Sequence, residues 1–101
     1  MGIIETQYKE KIAQSALDKL DKAEIDVDDK TIERDFYDTK VDGANVEVYI
    51  LLDHEDEGIF KEFRVLDTDG DVALKRVDEF EKTKDHSQII KFAFKVIEEV
   101  S

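Results

Sequence analysis

Asp53, His54, Glu55, Asp56 and Glu57 stand side by side between the apolar runs Ile50–Leu52 and Ile59–Phe60. Carboxylates and an imidazole can hold a divalent cation, move a proton or face a basic partner. A calcium or magnesium site needs several carboxylates converging, often with a glycine to permit the bend, and Gly58 follows the run. Consecutive side chains in an extended segment point away from one another, which weighs against convergence. Zinc at His54 would need three more ligands, and the second histidine, His86, lies far along the chain.

Two other stretches carry suggestive residue types. In Asp67-Thr68-Asp69-Gly70-Asp71 the acids alternate, and Asp78 is twelfth counting from Asp67. A calcium loop of the helix–loop–helix kind wants glycine at its sixth position and a bidentate Glu at its twelfth. Here glycine is fourth, the twelfth residue is Asp and the flanks read as strands, so a hairpin turn explains the stretch better. Asp85-His86-Ser87 holds the residue types of a hydrolase triad, but working triads assemble from distant positions. Asp85 followed by Gln88 reads instead as a helix N-cap. There is no glycine-rich phosphate loop and no cysteine. No catalytic residue, cofactor or enzymatic activity is expected.

The 101 residues suit a single domain, 1–101, with a modest core. Apolar residues make up 41% and charged residues 42%, and the strong periodicity argues against disorder. No run approaches the roughly 20 apolar residues of a membrane helix. The opening residues lack a basic region followed by an apolar core, so no secretory signal is expected. Met1-Gly2 with Thr6 fits a short myristoylation pattern, but a lone acyl chain on an acidic protein anchors weakly. With no cysteine to oxidise, a cytoplasmic location is the expectation.

Net charge is −12, unevenly spread. Residues 1–22 sum to zero, residues 23–58 to −10 and residues 59–101 to −2. Nucleic acid and anionic membranes are therefore poor partners, and basic protein surfaces good ones.

The elements that must position these groups follow from periodicity. Ile4, Tyr8, Ile12, Ala16 and Leu20, with Ala13 and Leu17, form one stripe of a helix over roughly 3–22. Residues 23–30 gather acids and read as a connector. Thr31–Val41 and Ala44–Asp53 flank Asp42-Gly43, and Ile59–Asp67 and Val72–Phe80 flank Asp69-Gly70; both pairs read as hairpins. Val46, Val48, Ile50 and Leu52 alternate toward the core. Ile59, Phe63 and Val65 share one face, and Phe60, Leu66, Ala73 and Val77 fall on the reverse. From about residue 86, Ile89, Ile90, Phe92, Phe94, Val96 and Ile97 suggest a second, largely buried helix. The predicted fold is α+β, in the order α-β-β-β-β-α. It is a four-stranded antiparallel meander with the N- and C-terminal helices packed on one face. That layout carries no function by itself.

Register decides what the first hairpin presents. A three-residue loop, Asp42–Ala44, pairs Val41 with Asn45, puts Phe36 opposite Ile50 and sets Tyr37 opposite Tyr49. A two-residue loop would drive Glu33 and Asp35 onto the apolar face, at a cost of several kcal/mol, so the longer loop is expected. The outer face then collects Glu33, Asp35, Tyr37, Glu47, Tyr49 and Asp53, beside the loop acids Glu55, Asp56 and Glu57. Strand neighbours such as Glu33 and Asp35 would stand about 6.6 Å apart, broadly the spacing of phosphates along a nucleic acid. The plainer alternative is a solvated face with a stabilising tyrosine pair.

These nine residues are the expected partner-binding site. The expected function is that of a small acidic protein-binding module, an inhibitor or immunity-type antagonist such as phages and mobile elements encode. It would occupy a basic, nucleic-acid-binding groove on a partner protein by phosphate mimicry, with no direct nucleic-acid contact and no membrane contact. The alternatives are a divalent-metal-binding domain using Asp53–Glu57 or Asp67–Asp71, and a homodimeric structural module using Phe60, Leu66 and Val77.

Overall fold

A computed structural model describes residues 6–96. The described residues form one helix, α1 (Thr6–Asp18), followed by seven strands. They are β1 (Leu20–Val27), β2 (Lys30–Arg34), β3 (Asp38–Asp42), β4 (Asn45–Leu52), β5 (Gly58–Asp67), β6 (Val72–Lys82) and β7 (Gln88–Lys95). They form two antiparallel sheets, ordered β2-β1-β5-β6 and β3-β4-β7. The inward side chains of both sheets join Ala13 and Leu17 of α1 in one apolar cluster. Val46, Val48, Ile50 and Leu52 are sealed in it, as their alternation predicts. Phe60, Phe63 and Phe80 stack with centroids 5.6–6.1 Å apart. Each large apolar side chain so buried contributes about 1.5–3 kcal/mol. No helix among the described residues is long and apolar enough to cross a membrane.

The α-β-β-β-β-α meander is not what forms. The first helix stops at Asp18 because the apolar period changes from four to two at Leu20. Residues 23–30 are mainly strand rather than connector. Ala23, Ile25 and Val27 point inward while Lys22, Glu24 and Asp26 point out, an alternation that the density of acids disguises. The 31–41 segment is two strands. Residues 35–37 carry the chain from one sheet to the other, with Phe36 packed against the core on the way.

The expected C-terminal helix is β7, at least through Lys95; residues 97–101, like residues 1–5 with the myristoylation pattern, lie outside the described part. Ile90, Phe92 and Phe94 face inward while Ile89, Lys91, Ala93 and Lys95 face out. β-Branched and aromatic residues at period two favour a half-buried strand, and the extra apolar positions made the segment look helical. Residues 83–87 form the link into that strand rather than a helix cap.

Both hairpin turns form, with positive φ at Gly43 (61°) and Gly70 (85°). The first adopts the two-residue loop, pairing Asp42 with Asn45 and Val41 with Val46. The burial penalty raised against that register does not arise, because Glu33 belongs to the other sheet and Asp35 to the link. On β5 a bulge between Phe60 and Glu62 turns Phe60 into the core and leaves Ile59 exposed. Phe60 is consequently buried, Leu66 is buried beside a second register shift after Val65, and of the four residues expected on the reverse face Ala73 and Val77 are exposed.

Candidate functional site: an acidic loop end

β1 ends and β2 begins, β4 ends and β5 begins, and β6 ends and β7 begins at the same end of the molecule. Three connections therefore meet there: the Asp28–Asp29 turn, the Asp53–Glu57 crossing between sheets and the Thr83–Ser87 link.

The crossing is held from within. Lys82 is the last inward residue of β6, and only 1% of its surface is exposed. Its ammonium donates to the carbonyls of Asp53 (2.7 Å), Asp56 (2.7 Å) and Thr83 (3.0 Å). An ammonium has three N–H donors, so its buried charge is fully hydrogen-bonded. Asp56, 8% exposed, turns inward as well. Arg34 grips its carboxylate with both terminal guanidinium nitrogens, one at 2.8 Å. The Asp53 amide donates to the same carboxylate at 2.9 Å. Arg34, then the Asp53 amide, hold the Asp56 carboxyl below its ordinary range against the opposing effect of burial. The Asp53 carboxylate accepts the Glu55 amide at 2.8 Å.

The neighbouring turn locks onto the start of β5. Asp28 has φ 54°, donates its amide to the Ile59 carbonyl at 2.8 Å and accepts the Ile59 amide on its carboxylate at 3.0 Å. A Cβ on Gly58, whose φ is 134°, would lie 2.6 Å from that carboxylate. Glycine is required there by both backbone and space.

The nine residues of the expected site, six on one hairpin face and three in the loop beside it, are divided among four places. Glu33 lies on the outer face of the four-stranded sheet, paired with Lys22 at 2.9 Å. Asp35 and Tyr37 sit on the link between sheets, with Tyr37 59% exposed. Glu47 and Tyr49 lie on the outer face of the three-stranded sheet. There the Tyr49 hydroxyl donates to Glu47, and Lys91 stands 3.1 Å from the same carboxylate. Those two partners lower the Glu47 pKa, and Glu47 raises that of Tyr49. Asp38, not Tyr37, is opposite Tyr49. Asp53, Glu55, Asp56 and Glu57 remain together at the loop end.

The continuous carboxylate row therefore does not exist. On the outer face of the four-stranded sheet, Arg64 instead gathers Glu24 (2.7 Å), Asp26 (2.7 Å) and Glu62, and Lys75 approaches Glu62 at 3.2 Å. Arg64 and Thr31 lower the Asp26 pKa to about 2.

Unpaired acids remain in the loops of this end. Among the described residues, Asp28, Asp29, Asp53 and Glu55 enter no ion pair, and Glu57 is 3.8 Å from Lys84. Lys82, Asp28 and Asp29 were missed from sequence. Lys82 could have been found as the inward step after Leu74, Arg76, Asp78 and Phe80. The opposite end of the strands carries a second acid group. Asp67, Asp69 and Asp71 bring carboxylate oxygens within 4.8 Å of one another. One Asp67 oxygen there accepts the amides of Asp69 and Asp71, both at 2.9 Å, as a hairpin turn requires.

The residue types of a hydrolase do not assemble as a triad. Ser87 Oγ lies 3.0 Å from His54 Nδ1, whereas His86 Nδ1 lies 2.8 Å from Asp85. Thr83 and then His86 lower the Asp85 pKa to about 2. Chemically, the end carries exposed carboxylates over a hydrogen-bonded internal frame. No family model, no curated protein and no solved structure matches the chain.

Proposed function

We propose that the protein is a binding module that presents Asp29, Asp53, Glu55 and Glu57 to a basic surface on a partner protein. One observation carries this reading: the loop bearing three of these acids, Asp53, Glu55 and Glu57, is fixed from inside by the Lys82 ammonium and the Arg34–Asp56 pair. A charged loop that is already ordered loses less entropy on docking, and its field speeds encounter. The partner class that fits is a protein whose groove binds phosphates, with these carboxylates standing where phosphates would. The hairpin row does not enter this proposal. Glu33 and Glu47 already have cationic neighbours, and Asp56 is structural.

The test is capture of partners by the wild type and by Asp29→Lys/Glu55→Lys/Glu57→Lys, at low and at physiological salt. Circular dichroism would verify that the variant folds. Partners held by the loop end dissociate when its charge is reversed, and a DNA oligonucleotide competes for them. Capture that is indifferent both to the reversal and to DNA would show the reading to be wrong.

A further inference from the structure

β6 is the outermost strand of its sheet, and at 11 residues it is more than twice as long as β2 at the opposite edge. Long edge strands with free backbone groups invite pairing with another chain. The middle of this one reads Lys75-Arg76-Val77-Asp78-Glu79: two bases, a valine and two acids. Val77 is 72% exposed, the most exposed large apolar side chain among those described. Leu74, Arg76, Asp78 and Phe80 step along the inner side, with Arg76 and Asp78 paired at 3.0 Å and Arg76 reaching the Lys91 carbonyl at 3.5 Å. Lys75, Val77 and Glu79 step along the outer side.

We propose that β6 pairs antiparallel with β6 of a second copy about a two-fold axis at Val77, making one sheet continuous through both molecules. In that register Val77 meets Val77, Lys75 meets Glu79, Arg76 meets Asp78 and Leu74 meets Phe80. Opposed residues of an antiparallel pair share a face, and opposite charges there stabilise while like charges repel. Every charge from 75 to 79 is matched. The neighbouring two-fold registers fail: centring on Arg76 opposes two arginines and puts Leu74 against Asp78, and centring on Asp78 opposes two aspartates. Registers centred between residues would oppose an inward side chain with an outward one. The self-complementary order is thus specific to a second copy of this chain, and it does not draw on the loop-end acids.

Sedimentation equilibrium over a concentration series tests the pairing. The wild type is expected to double its mass as concentration rises. Glu79→Lys sets lysine against lysine and should leave a monomer, and Lys75→Glu sets acid against acid and should do the same. The double variant Lys75→Glu/Glu79→Lys restores the match and should restore the doubled mass. The chain has no cysteine, so Val77→Cys supplies a second readout. Residue 77 faces its own copy at a separation a disulfide can span, and mild oxidation should cross-link it, whereas Ala73→Cys, opposed to Glu81, should stay uncross-linked. A wild type that is monomeric throughout overturns the proposal. So does a dimer indifferent to both single reversals, or equal cross-linking at 73 and 77.

Discussion

Lys82 shows how much structure one side chain can fix. Its ammonium is nearly inaccessible to water and bonds three carbonyls that belong to two connections. A buried charge is tolerated only when it is fully hydrogen-bonded, and buried carbonyls left without donors cost about 1–3 kcal/mol each. Lys82→Met keeps the stem and removes every donor. It is expected to lower unfolding stability by about 3 kcal/mol in a urea titration, with the loss appearing as a shifted midpoint. Lys84→Met, on the exposed link, should stay within about 0.5 kcal/mol. Equal losses at the two positions would mean that the carbonyl cage contributes nothing. Arginine is not a substitute, because its planar fork cannot point three donors at one converging set.

At the scale of elements, the outer face of the four-stranded sheet is a cross-strand charge lattice centred on Arg64 rather than a negative plate. Within it Asp26 and Glu62 are held ionised, with the Asp26 pKa falling from 3.8 to about 2. The folded value lies below the unfolded one. The contribution to stability is therefore complete above the ordinary carboxylate range and is lost as pH falls from near 3.8 toward 2. Asp26→Asn should be less stable than the wild type at neutral pH, and the gap should close over that acid window. A gap that stays constant down to pH about 2 would remove Asp26 from the linkage. This lattice also explains what the sequence concealed. The alternation of Ala23, Ile25 and Val27 was visible, but Glu24 and Asp26 between them read as loop because their counter-ion, Arg64, is 40 residues from Glu24. The two glycine turns and the β4 core face were legible because they rest on local chemistry. The division into two sheets was not, since β1–β5 and β4–β7 pairing joins segments remote in the chain. Of the site, the Asp53–Glu57 loop was legible as a cluster of charge. Asp56's inward turn was not, because it depends on Arg34 arriving from another strand.

For the whole molecule the question is how a net charge of −12 is tolerated. The sheet faces mix acids with bases, while loop acids collect at both ends of the strands, and the molecule extends 53 × 25 × 19 Å. Two unit charges about 33 Å apart, the length of a ten-residue strand, interact in water by only ~0.1 kcal/mol even without salt, and the Debye length near physiological salt is about 8 Å. Repulsion therefore acts within each end and not between them. Added sodium chloride should weaken that repulsion among exposed loop acids more than it weakens the Arg64 cluster, whose central side chain is only 12% exposed. The urea midpoint should accordingly rise from low salt to physiological salt and then level off. Glu55→Gln should raise unfolding stability by roughly a few tenths of a kcal/mol at low salt and by nothing measurable at high salt. The opposite sign, a midpoint that falls steadily as sodium chloride is added, would mean that the ion pairs of the sheet faces outweigh the crowding of acids at the ends. The loop end would then be too weak a field to steer a basic partner.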